Sequence, residues 1–283
     1  MANNNKTIKY IGDGRRETKK NQKEVELNSE NLIGIKNDIE KLLLKAGQII
    51  LKGYNSPKKD ITTKKHEQDY LTKYDILVNT LIINHLKKKY PNFSIISEES
   101  PEIKGNNTYS FVIDPIDGTR NFIRKIPTCF CGIGLIKNNK TIFCMTYNPI
   151  SNDLFWAIEK KGSYWNNKKI KVSSRDKLSI SDVIYRNLSK TKSSIEIQKK
   201  LYSNVYSLKD EMCCHYETSS VACSRYDAVI QSGSKIWDYA QYLLIKEAGG
   251  KVTDFDGKEF DLSKKELLGS NGLIHNQLLK LLK

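Results

Sequence analysis

The sequence predicts a mixed α/β (α+β) protein, and three observations predict it. Apolar residues recur at helical spacing twice between residues 29 and 90, and five short strand-like runs separated by Asn, Gly and Pro turns fill 93–159. Over the last hundred residues helical and strand-like stretches alternate, which suggests layers of helices and sheets. No segment repeats at a fixed period, so a solenoid or propeller is not expected.

Residues 1–27 are polar, carry seven basic and four acidic side chains and show no apolar period, the composition of a disordered basic arm. From Ser29, a plausible N-cap, Leu32, Ile35, Ile39, Leu42, Leu43, Ala46, Ile49 and Ile50 line one face of a helix expected to end near Gly53. Residues 56–69 are charged, contain a Pro and read as a solvated loop. A second helix follows with Leu71, Tyr74, Leu77, Val78, Leu81, Ile82 and Leu86 on one face, Asp75 beside them and Pro91 beyond its end. The expected strands are 93–97, 109–113, 130–136, 141–147 and 153–159, with Asn138-Asn139 and Asn166-Asn167 at hairpin tips. Beyond them come a helix around 193–202, an apolar stretch 213–223, a strand 226–231, a helix from Trp237 to Ala248 closed by Gly249-Gly250, and a strand from Lys251.

The 283 residues, 39% of them apolar, suffice for one sizeable domain or two small ones. No window approaches the roughly 18 apolar residues of a membrane span and the N-terminus lacks a signal-peptide core. A soluble, cytoplasmic protein without membrane contact is expected. Six cysteines without a CxxC pair make neither a disulfide framework nor a zinc site. Cys129 and Cys131 share one strand face and read as core packing. The net charge of +15 invites nucleic acid as a partner. Only seven of the 47 basic residues are Arg, the residue suited to bidentate phosphate and base contacts, so nucleic acid or transcription machinery is the minor reading.

Three acidic clusters lie where strands or loops end: Glu98-Glu99, Asp114 with Asp117, and Asp238 opening a helix. Singly, each has a bland reading as a solvated turn or a helix cap. In Asp114-Pro115-Ile116-Asp117-Gly118-Thr119, Pro115 fixes its φ and Gly118 lets the chain turn sharply, so both carboxylates can face one side. Oxygen donors without His or Cys among them suit Mg²⁺.

The strings SEES (97–100), DPIDGTRNF (114–122) and WDYAQYLLIKEAGG (237–250) resemble the inositol monophosphatase family of Mg²⁺-dependent, lithium-sensitive phosphatases, from about residue 30 to the C-terminus. The resemblance implies a layered αβαβα sandwich of two subdomains, here 28–175 with the metal-binding motifs and 176–283 completing the site, and usually a homodimer. It implies that Glu98, Asp114 and the Ile116 carbonyl hold one Mg²⁺, that Asp114, Asp117 and Asp238 hold a second, and that a weaker third leans on Glu98. Thr119 and Asp75 would orient the attacking water, with Glu98 counted among the catalytic residues, and the Gly118 and Thr119 N–H groups would face the phosphate.

The pocket departs from the family pattern. The acid expected seven residues before Asp238 is Gln231, which carries no charge but can bond a hydroxyl. An ungapped alignment sets Met212-Cys213-Cys214 at the small-residue specificity segment, and a gapped one Thr218-Ser219-Ser220. The substrate contacts implied are Asp117, Gly118, Thr119, Gln231, Asp238, Cys213 and Cys214. The four histidines lie outside every motif and receive no role. The resemblance implies a phosphatase of a small sugar or polyol monophosphate, inositol 1-phosphate first among them. A 3′(2′),5′-bisphosphate nucleotidase, fructose-1,6-bisphosphatase or histidinol-phosphate phosphatase on the same scaffold, and a transcription-machinery or RNA-binding protein, are the alternatives.

Overall fold

The computed structural model describes residues 26–64, 67, 69–187 and 191–283. Most of the expected arm and His66 lie outside these residues. Leu27 at the arm's end already meets the body, its N–H donating to Tyr109 Oη at 3.0 Å.

The first part of the chain forms α1 (Ser29–Asn55), β1 (Ile61–Thr63), β2 (Tyr70–Thr72), α2 (Lys73–Lys89), β3 (Ser94–Ser97), β4 (Ser100–Ile103), β5 (Tyr109–Asp117), α3 (Thr119–Arg124), β6 (Phe130–Lys137), β7 (Lys140–Asn148), β8 (Asp153–Ile158), β9 (Gly162–Trp165) and β10 (Lys168–Lys169). It continues with β11 (Asp182–Asn187), α4 (Lys192–Tyr202), β12 (Ser207–Lys209), α5 (Cys214–Ala222), β13 (Ala228–Ser232), α6 (Ile236–Tyr239), α7 (Leu243–Glu247), β14 (Lys251–Thr253), β15 (Glu266–Ser270) and α8 (His275–Leu282).

Eight strands make one sheet in the order β10-β9-β8-β7-β6-β5-β3-β4, and five make a second, β12-β11-β13-β15-β14. Period-two alternation then sorts the side chains into three cores. Phe111, Ile113, Cys129, Cys131, Ile133 and Phe143 face α1 and α2 on the outer side of the large sheet. Val112, Phe130, Cys144 and Phe155 face inward and meet α5, α6 and α7, which rest in turn on Ile184, Val229 and Leu267 of the second sheet. That sheet's other face, with Val183, Ala228 and Leu268, is covered by Leu201 of α4 and Leu278 of α8. The result is the αβαβα sandwich, with Cys129 and Cys131 packed in its first core.

Several boundaries differ from the sequence reading, each for a local reason. Asn28, not Ser29, caps α1 through a reciprocal bond with Asn31, and the helix runs past Gly53 to Asn55. The stretch read as a loop over 56–69 contributes β1, which pairs antiparallel with β2. The helix expected from Trp237 to Ala248 is instead α6, a 3₁₀ turn over Ala240–Tyr242, and α7. From Tyr239 to Ile245 every residue is buried, because this segment lies between the two sheets; packing from both sides overrides the single-faced period that defines a surface helix. The Asn138-Asn139 and Asn166-Asn167 tips all have positive φ, as tight hairpin turns require.

Candidate active site

The site forms where β5 stops. Asp114 pairs with Gly132 of β6 and Asp117 with Phe130, so β5 carries one extra residue between them. Such a bulge re-aims the side chains around it, and here it brings both aspartates to the same end of the strand. Gly118 follows at φ +80°, and a Cβ there would stand 2.9 Å from the Thr128 carbonyl oxygen; glycine is required on both counts. The chain then turns into α3, with Thr119 as its first residue.

Thr119 Oγ1 lies 2.9 Å from the Ile116 carbonyl oxygen and 3.2 Å from Asp75 Oδ1. Asp75 is no exposed acid on the helix surface. It is fully buried in the first turn of α2, where its Oδ2 accepts from the Thr72 N–H at 2.8 Å and from Thr72 Oγ1 at 2.5 Å. Burial pushes its pKa up to about 6 against those bonds.

Glu98 and Glu99 occupy the turn between β3 and β4. Lys64, from the end of β1, reaches Glu98 at 2.7 Å and Glu99 at 2.9 Å. Burial pushes Glu98 up to about 7, with Lys64 opposing and Asp238 and Asp75 adding to the shift. Asp114 is buried, and its Oδ1 has no hydrogen-bond partner among the described residues. Its pKa is driven well up by burial and then by the charges of Glu98, Asp117 and Asp238. Asp238 Oδ2 accepts from the Lys235 N–H at 2.6 Å; burial and Asp117 push Asp238 up to about 6.

The start of α5 closes the other side. Asp117 Oδ2 accepts from the His215 N–H at 2.5 Å and from Cys213 Sγ at 3.1 Å. The structure thus sets Cys213 and Cys214 beside the acids, while Thr218, Ser219 and Ser220 are buried along the helix. Met212 takes φ +57°. One ligand atom each of Asp117, Cys214 and Asp238 lie within 4.8 Å of one another. The premise that no cysteine neighbours the acids is therefore corrected: Cys214 comes from more than 90 residues along the chain, a distance that the local sequence around Asp117 does not reveal.

Lys64, His215, Arg186 and Glu217 received no role from the sequence, and Gln231 departs from the one it was given. His215 is fully buried, its Nδ1 3.1 Å from Thr146 Oγ1 and its Nε2 3.0 Å from the Trp237 carbonyl oxygen, so it ties α5 to the large sheet and to α6. Gln231 does not stand open to a ligand: it is fully buried and its Nε2 donates to Glu217 Oε2 at 2.7 Å. Arg186, register partner of Gln231 on β11, lies 3.6 Å from Glu217 and 3.4 Å from Asp210. Burial pushes Glu217 up to about 8 despite Arg186. An isolated Lys, Arg or Glu in a charged chain carries no signal that could have found these.

Glu98, Asp114, Asp117 and Asp238 crowd together, three of them with pKa values raised, around an orphaned buried oxygen. Carboxylates so arranged fit divalent cations, which remove the repulsion and supply the missing partner.

Residues 35–283 match the model of the inositol monophosphatase family. An inositol monophosphatase of Dictyostelium discoideum is 36% identical over 247 residues, 83% of this chain and 90% of that protein. Nus factor SuhB of Xylella fastidiosa is 31% identical over 219 residues, 76% of this chain and 79% of that one. The crystal structure of extragenic suppressor protein suhB from Bartonella henselae superposes with a TM-score of 0.84 at 29% identity, covering 88% of this chain and 98% of the other. Motifs, layered fold and sequence relatives agree: the chain belongs to the inositol monophosphatase family.

Proposed function

We propose that the protein is a Mg²⁺-dependent phosphatase of a small sugar or polyol monophosphate, with inositol 1-phosphate the leading substrate. The crowding of Asp114 with Asp117 and Asp238, beside the pair of buried Asp75 and Thr119, carries this reading. Glu98, Asp114 and the Ile116 carbonyl would hold one cation, Asp114, Asp117 and Asp238 a second, and Glu98 a weaker third. Bound Mg²⁺ supplies charge neutralisation at the phosphoryl and leaving oxygens and acidifies an attacking water.

The chain's own groups do the rest. With its hydroxyl hydrogen directed to Asp75, Thr119 offers oxygen lone pairs that orient a water, and Asp75 draws proton density through that bond. Because Asp75 ionises near pH 6, it is a competent acceptor at neutral pH. The N–H groups of Gly118 and Thr119 are left to the phosphate at the start of α3. Cys213 and Cys214, buried beside Asp117 and Asp238, would shape the substrate pocket from behind those acids.

The test is phosphate release from inositol 1-phosphate, fructose 1,6-bisphosphate, adenosine 3′,5′-bisphosphate and histidinol phosphate, with Mg²⁺ and with and without lithium. Preferential turnover of inositol 1-phosphate is expected; preference for another ester reassigns the substrate. The relatives named Nus factor SuhB favour a second reading, contact with transcription machinery. No hydrolysis on the whole panel, together with salt-sensitive RNA or polymerase binding that survives Asp114→Asn, would replace the enzyme with that reading.

A further inference from the structure

The carboxylate cluster contains a thiol. Cys214 is fully buried at the first position of α5, its Sγ grouped with carboxylate oxygens of Asp117 and Asp238 inside 4.8 Å. Its Sγ lies 3.8 Å from Ser234 Oγ. A packing role would explain a small buried side chain at a helix start. It would not explain the orphaned Oδ1 of Asp114, a buried acid in the field of Asp117 and Asp238, which points to a ligand.

Cys213 provides the contrast. Its thiol is 3.1 Å from Asp117 Oδ2 and 3.6 Å from the Asp117 carbonyl oxygen, packed against Gly118, and it does not join the Asp117–Asp238 pair in that group.

We propose that Cys214 makes the Asp114–Asp117–Asp238 half of the site a mixed oxygen and sulfur site, which takes thiophilic divalent cations such as Zn²⁺, Co²⁺ or Cd²⁺ in competition with Mg²⁺. The proposal rests on the reading that these carboxylates hold a metal. Sulfur and carboxylate oxygen sit about 2.3 and 2.1 Å from a bound zinc, so donors already grouped this closely are brought into range by side-chain rotation. Soft thiolate favours these ions, whereas Mg²⁺ prefers oxygen alone. On binding, the Sγ–H bond breaks, its proton leaves to solvent, and the sulfur electron pair forms the bond to the metal.

Co²⁺ and Cd²⁺ titrations of the full chain, followed by ultraviolet and visible absorption, test this. Wild type and Cys213→Ser should develop a thiolate-to-metal charge-transfer band saturating at one equivalent, which excess Mg²⁺ reverses. Cys214→Ser, and Cys214→Ala should the serine variant not fold, should lose the band, with Cd²⁺ affinity falling about 10–100-fold and Mg²⁺ affinity changing less than about threefold. Co²⁺ bound by wild type without the band, or a band surviving loss of Cys214, overturns the proposal and leaves the metal-dependent phosphatase standing. A wild-type chain that binds no divalent cation overturns both.

Discussion

Asp75 and Asp114 are both buried carboxylates, yet their surroundings give them different work. Asp75 is held by Thr72 and by Thr119 and ionises near pH 6. Asp75→Asn should lower kcat by about 10²–10⁴-fold and remove an acid limb near pH 6 from the rate profile, because the protonated acid below that pH cannot accept. A variant that keeps the limb would place the base elsewhere. Asp114 has an oxygen without a hydrogen-bond partner among the described residues, and four repelling acidic neighbours. Asp114→Asn should cost at least about 10²–10³-fold in hydrolysis. In chelator its melting temperature should equal or exceed that of wild type, since the substitution removes a buried charge; a large fall there would mean that the carboxylate is structural.

At the scale of elements, the seam between β6 and α5 positions the site. Gly132 lacks a side chain because His215 lies against it: a Cβ would stand 2.2 Å from His215 Cε1 and 3.0 Å from Gln241 Nε2. His215 in turn supplies the N–H that holds Asp117. Gly132→Ala should therefore destabilise by about 1–3 kcal/mol and lower kcat/KM by displacing the start of α5, as thermal melts and steady-state kinetics would show. Unchanged kinetics would free Asp117 from that seam. The strand and helix positions were largely legible from apolar periodicity. The break of the 237–248 helix was not, because that period assumes one buried face and this segment is buried on all sides between sheets.

Across the whole molecule, the crowded carboxylates set the pH dependence of stability. Asp75 and Asp238 ionise near 6 and Glu98 near 7, above the ordinary carboxylate range near 4. Between those limits the folded chain holds more protons than the unfolded one, so this stabilisation is complete below about pH 4 and is lost as pH rises through 6 and 7. Glu217, near 8, and Asp114, driven well up, act in the same direction, while buried His275, lowered to about 4, pulls the other way only between pH 6.5 and 4. The melting temperature in chelator should fall from pH 6.5 to pH 8, and saturating Mg²⁺ should restore it most at pH 8, by about 2.7 kcal/mol at a hundredfold excess over Kd. A metal-free melting temperature that rises over that interval would contradict the crowding. Among the described residues no helix is long and apolar enough to cross a membrane.

The sequence by itself determined the family, the mixed α/β class and the acids of the motifs. Those features are local: a hexapeptide fixes its own turn, and an apolar period fixes a helix or a strand. Only the tertiary structure decided what faces them. Lys64 against Glu98, the His215 N–H on Asp117, the Gln231–Glu217–Arg186 group and the Cys214 thiol among the carboxylates each join residues 14 to 98 positions apart. Such contacts are set by how two sheets and the helices between them pack, and no short segment records that.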